Sequence, residues 1–238
     1  MSAVKNLPVT LLAKNLPVKL LTELVGTFVF LSVIALSAGA GTLAPLAIGA
    51  GLMVMVYMGG HVSGGHYNPA VSLGVFLRRR IDGTTMVGYW VAQLVGGALA
   101  FVLGYLVSRH TPGIHPGAGV NAARALTVEA LFTLALVLVV LNVAATKATE
   151  GNSYYGMAIG FTILAAGFVG GPISGGAFNP AVGFGATLGA ALYQHGSWSD
   201  LWLYVIGPLI GAALGAGIHH LQHEPLALLA QAAKPRRR

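Results

Sequence analysis

Apolar residues run almost without interruption through six stretches of the chain, at about 20–39, 44–60, 85–107, 122–145, 154–170 and 201–221. Each is long enough for a helix to cross a hydrocarbon layer, which takes about 20 residues at 1.5 Å per residue. After the second and fifth stretches the pattern changes. Ser-Gly-Gly interrupts the apolar run, and two residues later Asn-Pro-Ala-Val restarts it, to about residue 78 in the first case and 192 in the second. Asn followed by Pro is a helix-start signal: the Asn side chain accepts from an orphan N–H, and Pro has no N–H to satisfy. The paired glycines suit backbone that turns sharply. Irregular backbone at membrane depth is tolerated only where protein buries it or where it lines a wet cavity. The pattern therefore predicts an all-α membrane protein with six transmembrane helices and two re-entrant half-helices, built around a conduit.

The two interruptions are copies of one another: residues 61–74 read HVSGGHYNPAVSLG and residues 171–185 read GPISGGAFNPAVGFG. The repeat extends further, since TELVGTFVF at 22–30 matches VEALFTLAL at 128–136, and VAQLVGGAL at 91–99 matches IGPLIGAAL at 206–214. Three spans per half is an odd number, so the halves, about 20–107 and 122–221, lie oppositely in the membrane as an inverted repeat. Gly207, Gly211 and Gly215, with Gly96, Ala100 and Gly104 as counterpart, read as close helix contacts between the halves.

Composition agrees with a membrane class. Of 238 residues, 55% are hydrophobic and only 8% charged, far below the roughly one quarter of a soluble domain. With no Cys there is neither a disulfide nor a thiolate metal site. The formal net charge of +7 does not point to nucleic acid, because the basic residues cluster between the apolar spans. Lys5, Lys14, Lys19, Arg78, Arg79, Arg80, Lys147, Lys234 and the last three arginines fall on one side, and Arg109 and Arg124 on the other. That asymmetry places both termini in the cytoplasm, as expected of a multi-pass protein of the plasma (inner) membrane. The first 19 residues, with KNLPV at 5–9 and 14–18, and the basic tail 224–238 read as cytoplasmic segments flanking a channel domain over 20–223.

Two Asn-Pro-Ala loops, a Glu in the first span of each half and six spans in inverted halves closely resemble the aquaporin (major intrinsic protein) family, from about residue 18 to 223. The resemblance implies a passive channel without chemistry or cofactor, assembled as a homotetramer in the lipid bilayer. Asn68, Pro69 and Ala70, with Asn179, Pro180 and Ala181, would form the paired motifs at the pore centre. The carbonyls of Gly64, Gly65 and His66, and of Ser174, Gly175 and Gly176, would be acceptors for passing solute. Carrying the family's filter positions over by spacing gives Ile48, Gly167, Gly176 and Val182.

Here the chain departs from the family pattern. Most members carry Arg where this chain has Val182, and an aromatic residue, a His or an Asp where it has Ile48, Gly167 or Gly183. A filter without aromatic, imidazole or guanidinium implies a wide channel for water and small neutral solutes such as glycerol, urea or metalloid acids, arsenite among them. Ile173 or Phe178 are candidates for a narrowing that would defeat this. The alternatives are a strict water channel and a non-conducting structural membrane protein.

The ionisable groups have competing readings. Glu23 and Glu129 inside spans could relay protons in a transporter, or brace the re-entrant loops as the resemblance implies; bracing is favoured because buried charges need fixed partners. His61 and His66 flank Ser-Gly-Gly, and His219, His220 and His223 lie near Glu224. Neither group supplies a convincing metal-ligand set, so no metal is expected. No nucleophile–base pair is visible, and an enzyme is not expected.

Overall fold

A computed structural model describes residues 15–223. Eight helices follow in order: α1 Leu16–Leu36, α2 Ala44–Ser63, α3 Pro69–Leu77, α4 Gly83–Ser108, α5 Ala122–Ala144, α6 Tyr155–Ser174, α7 Pro180–Tyr193 and α8 Leu201–His223. Six are long and apolar enough to span a membrane. The other two, α3 of 9 residues and α7 of 14, are the half-helices. Lys5, Lys14, most of the KNLPV repeat and the basic tail 224–238 lie outside the described residues.

The first helix begins at Leu16, so Lys19 belongs to it rather than to a separate N-terminal segment. Pro17 is tolerated because it falls in the first turn, where its missing N–H would have no intrahelical partner. A 3-10 segment, Ser37–Leu43, joins α1 to α2 and turns at Gly41, where φ is 53°.

Packing follows the repeat. In the first half α4 lies against α1, and in the second α8 lies against α5. Both contacts run over the small-residue stripes. A Cβ on Gly96 would stand 2.7 Å from the Leu24 carbonyl oxygen, and one on Gly211 would collide with the Ala130 carbonyl. The stripes thus close helix pairs within each half, not between the halves as expected from sequence. Between the halves, α2 crosses α6 where a Cβ on Gly49 would meet Leu164 and the Gly160 carbonyl at 2.6 and 2.7 Å. Backbone approach of this kind maximises dispersion contact where lipid supplies no hydrophobic drive between helices.

Candidate functional site

Each half-helix is started by its Asn. Asn68 Oδ1 accepts from Ala70 N at 2.8 Å and Asn179 Oδ1 from Ala181 N at 2.9 Å, with extended backbone at both caps. The side-chain amides then cross the pseudo-symmetry axis. Asn68 Nδ2 donates to the Phe178 carbonyl and Asn179 Nδ2 to the Tyr67 carbonyl, both at 2.9 Å. The two caps therefore lock α3 and α7 together at their N-termini, leaving each amide one further N–H.

The loops ahead of the caps leave the helical course at Gly64 (φ 97°) and Gly175 (φ 96°), a conformation that other residues adopt at a penalty. Their amides would be orphaned in the bundle without the two glutamates. Glu23 Oε1 accepts from Ser63 Oγ (2.7 Å) and His66 N (2.9 Å), and its Oε2 from Tyr67 N (2.8 Å) and Gln93 Nε2 (2.9 Å). Glu129 Oε1 accepts from Ser174 Oγ (2.7 Å) and Ala177 N (3.0 Å), and its Oε2 from Phe178 N (2.6 Å). Both glutamates are fully buried and neither lines a cavity. Their contacts are those of a brace rather than of a proton path.

Between the halves lies a cavity of about 200 Å³. That is well above the ~10–15 Å³ needed to hold one water. Asn68 and Asn179 stand in its wall with Gly64, Gly65 and His66 from one loop and Gly175, Gly176 and Ala177 from the other. Ser174 is absent from this wall. It is fully buried, and its carbonyl accepts from Tyr204 OH at 2.7 Å, as the Ser63 carbonyl accepts from Tyr89 OH at 2.6 Å. The second loop thus meets the cavity at 175–177 rather than at the expected 174–176, matching 64–66 in the other loop. Apart from Ser37 the remaining wall is apolar, and no Lys, Arg, Asp or Glu lines the cavity among the described residues.

At the end of the bundle holding the α1 N-terminus and the α8 C-terminus, a vestibule of about 800 Å³ shares Gly64, His66 and Val140 with the cavity, so the two adjoin. His61 is exposed in the vestibule, while the His66 ring is held by Ser72 Oγ at 3.0 Å and stands edge-on to Tyr89. Among the described residues no three His, Asp or Glu side chains gather as metal ligands.

A Major intrinsic protein family model matches residues 13–219. The chain belongs to the major intrinsic protein family. Relatives in this family include a probable aquaporin, TIP2-2, of Oryza sativa subsp. japonica, 36% identical over 185 residues covering 75% of this chain and 73% of that one. The glycerol uptake facilitator protein-like 6 of Lactiplantibacillus plantarum is 35% identical over 210 residues, covering 83% of this chain and 94% of its own. Among solved structures, the aquaglyceroporin from Plasmodium falciparum superposes with a TM-score of 0.75 at 21% identity, covering 90% of this chain and all of that one. This last likeness is one of fold. Membership makes the chain a channel-type membrane protein and not an enzyme.

The four positions expected from sequence to form a filter fall in different places. Ile48, Gly176 and Val182 line the cavity. Gly167 is not in the wall; a Cβ there would stand 3.1 Å from Pro45 Cβ, so its missing side chain frees room against α2. Beside Val182, a Cβ on Gly183 would run into Tyr204 Cβ, which leaves no room for a side chain at that position. Ile173 and Phe178 do not narrow the cavity: the Ile173 carbonyl accepts from Gly117 N, and the Phe178 ring is buried edge-on to Phe132. Ile114 does stand in the cavity wall, in the loop between α4 and α5, together with Pro112 and Gly113. A Cβ on Gly175 would touch Ile114 Cγ1 at 2.9 Å. Sequence reading missed Ile114, although one branched apolar residue between two Pro-Gly turns (PGIHPG) in a polar loop was a usable signal.

Proposed function

We propose that the protein is a passive channel for water and small uncharged solutes, with a filter wide and plain enough for glycerol, urea and neutral metalloid acids such as arsenite in its protonated form. The carrying observation is the cavity wall, where Ile48, Gly176 and Val182 stand, no Lys, Arg, Asp or Glu is present among the described residues, and the His66 ring is held by Ser72 Oγ. In this reading a solute exchanges its water hydrogen bonds for the carbonyls of 64–66 and 175–177 and for one N–H each of Asn68 and Asn179. The N-termini of α3 and α7 meet there, and each contributes about half a positive charge. Without the filter arginine, this field is what opposes cations and protons.

Topology and assembly belong to the same proposal. The excess of Lys19, Arg78, Arg79, Arg80 and Lys147 at one end over Arg109 and Arg124 at the other supports cytoplasmic termini in a plasma (inner) membrane. Likeness to the family supports a homotetramer with one pore per subunit.

A strict water pore is the second reading, favoured by Ile114 at the mouth of the cavity. Stopped-flow light scattering on proteoliposomes separates the two. Fast re-swelling in glycerol, urea or a neutral metalloid acid, abolished in Val182→Arg, is the expected result. Fast water flux without solute entry in the parent, with solute entry gained in Ile114→Ala, would establish the second reading instead.

A further inference from the structure

Beside the helix ends at the N-terminal end of α1 lies a cleft of about 660 Å³ that shares Lys19, Arg80 and Ile81 with the vestibule but no lining residue with the conduit cavity. Its cations come from two distant parts of the chain: Lys19 on α1, and Arg79 and Arg80 just past the end of α3. Phe76, Leu77 and Ile81 supply an apolar side. The neighbouring Arg78 is committed elsewhere. Its Nε donates to His219 Nδ1 at 3.0 Å, and its Nη1 lies 2.9 Å from His220 Nδ1.

Backbone geometry shows that Arg79 is not the residue the turn prefers. Arg79 N donates to the Phe76 carbonyl at 2.7 Å and Arg80 N to the Val75 carbonyl at 3.1 Å, the paired bonds of a Schellman helix end. Arg79 has φ 55°, in the left-handed region where Gly is the unstrained choice. A cation therefore stands where local structure favours Gly, and it stands in the cleft wall.

The one carboxylate in the wall, Asp82, caps α4. Its Oδ1 accepts from Thr85 N at 2.7 Å, and that backbone hydrogen bond holds its carboxyl below the ordinary carboxylate range. Thus three cations face one carboxylate already engaged with its own helix. The Lys19 charge adds to that lowering of Asp82.

We propose that this cleft binds the headgroup of an anionic phospholipid, with the phosphate among Lys19, Arg79 and Arg80 and the first part of an acyl chain along Leu77 and Phe76. The apolar side selects lipid over a free anion. The cleft lies where spanning helices end, at the level of lipid headgroups. A general excess of positive charge on this side of the membrane accounts for basic residues there, but not for an Arg in a glycine-favouring backbone site.

The test is native mass spectrometry of the full chain, released from micelles doped with phosphatidylglycerol or phosphatidylcholine, or with inorganic phosphate added. Phosphatidylglycerol should be retained in preference to phosphatidylcholine. Arg79→Gln/Arg80→Gln should weaken its retention by roughly tenfold or more, since each surface cation contributes about fivefold. Arg79→Gly should weaken it while holding or raising the melting temperature, which separates binding from folding. Lys147→Gln, at the same end but outside the cleft, should leave it nearly unchanged. An equal loss on Lys147→Gln and on Arg79→Gln would overturn the site in favour of bulk charge. Full retention in Arg79→Gln/Arg80→Gln, or displacement of the lipid by inorganic phosphate at matched concentration, would overturn it as well.

Discussion

The two re-entrant loops share one frame and differ in what surrounds it. Ser63, Gly64, Gly65, Asn68 and Tyr89 correspond to Ser174, Gly175, Gly176, Asn179 and Tyr204, and their hydrogen bonds match one for one. Around the first loop stands a polar side-chain network: His66 Nδ1 meets Ser72 Oγ, and Gln93 Nε2 donates to both Ser72 Oγ (3.0 Å) and Glu23 Oε2 (2.9 Å). At the same places the second loop has Ala177, Gly183 and Pro208. Its glutamate holds the loop with three donors and no neighbour in support. The frame of Glu, Ser, two glycines, Asn and Tyr is therefore sufficient for the fold, and the network is an addition to one copy.

The largest effect should come from removing the glutamates, and it should be unequal. Each Glu→Ala change leaves buried loop amides without an acceptor, for a loss of about 3–5 kcal/mol. In Glu23→Ala the Gln93 amide is at hand to turn its oxygen toward the loop. In Glu129→Ala nothing polar stands at Pro208 to do so. Thermal melts in detergent should show Glu129→Ala as the less stable variant, despite its having one hydrogen bond fewer to lose. Equal melting temperatures would mean that the network gives no support to the first loop.

Gly183→Ala tests the same contrast by filling instead of emptying. Ser72 has room for its side chain; a Cβ on Gly183 meets Tyr204, whose hydroxyl fixes the Ser174 carbonyl. Overpacking here should cost roughly 1–3 kcal/mol, and pushing Tyr204 aside should also slow conduction. Ser72→Gly, the mirror change, should leave conduction nearly intact. A Gly183→Ala variant as stable and as conductive as the parent would show that α8 can shift away from α7.

Much of this frame was legible in the sequence because it is written in residue types with few other uses. Apolar length fixed the six spans, Asn-Pro marked both half-helix starts, and two carboxylates within spans could only be braces or relays. What stayed hidden depends on distant partners. A small-residue stripe says that another helix comes close but not which one, so Gly96 and Gly211 were assigned to the wrong interface. The part of the second loop that meets the cavity lies one residue later than expected, because Tyr204, 30 positions further along, takes up the Ser174 carbonyl. Ile114 reaches the conduit by the path of a loop, and no periodicity encodes such a path.

Removing the fourth donor tests the network alone. Gln93→Leu converts the first brace to the three-donor form of the second, and its loss should be about 1–2 kcal/mol, because Ser72 and Glu23 each lose one partner. Flux should be unchanged if the shared frame suffices. A collapse of flux with the melting temperature retained would show that the network positions the first loop for conduction.

The smallest effect is expected for His66→Ala, which makes the first loop read as the second does at Ala177. His66 stands in the conduit wall, where its carbonyl is proposed as one of three acceptors on its side. The ring is turned aside onto Ser72 and the edge of Tyr89, whose ring centroid lies 5.1 Å away. Alanine keeps the carbonyl and gives up the ring contacts, for a stability loss of about 1 kcal/mol. Water and glycerol flux should stay close to the parent's, because Ala177 already performs the same backbone role in the other half. A marked rise in glycerol flux alone would mean that the imidazole is itself a constriction, and that the two loops differ in selectivity as well as in support.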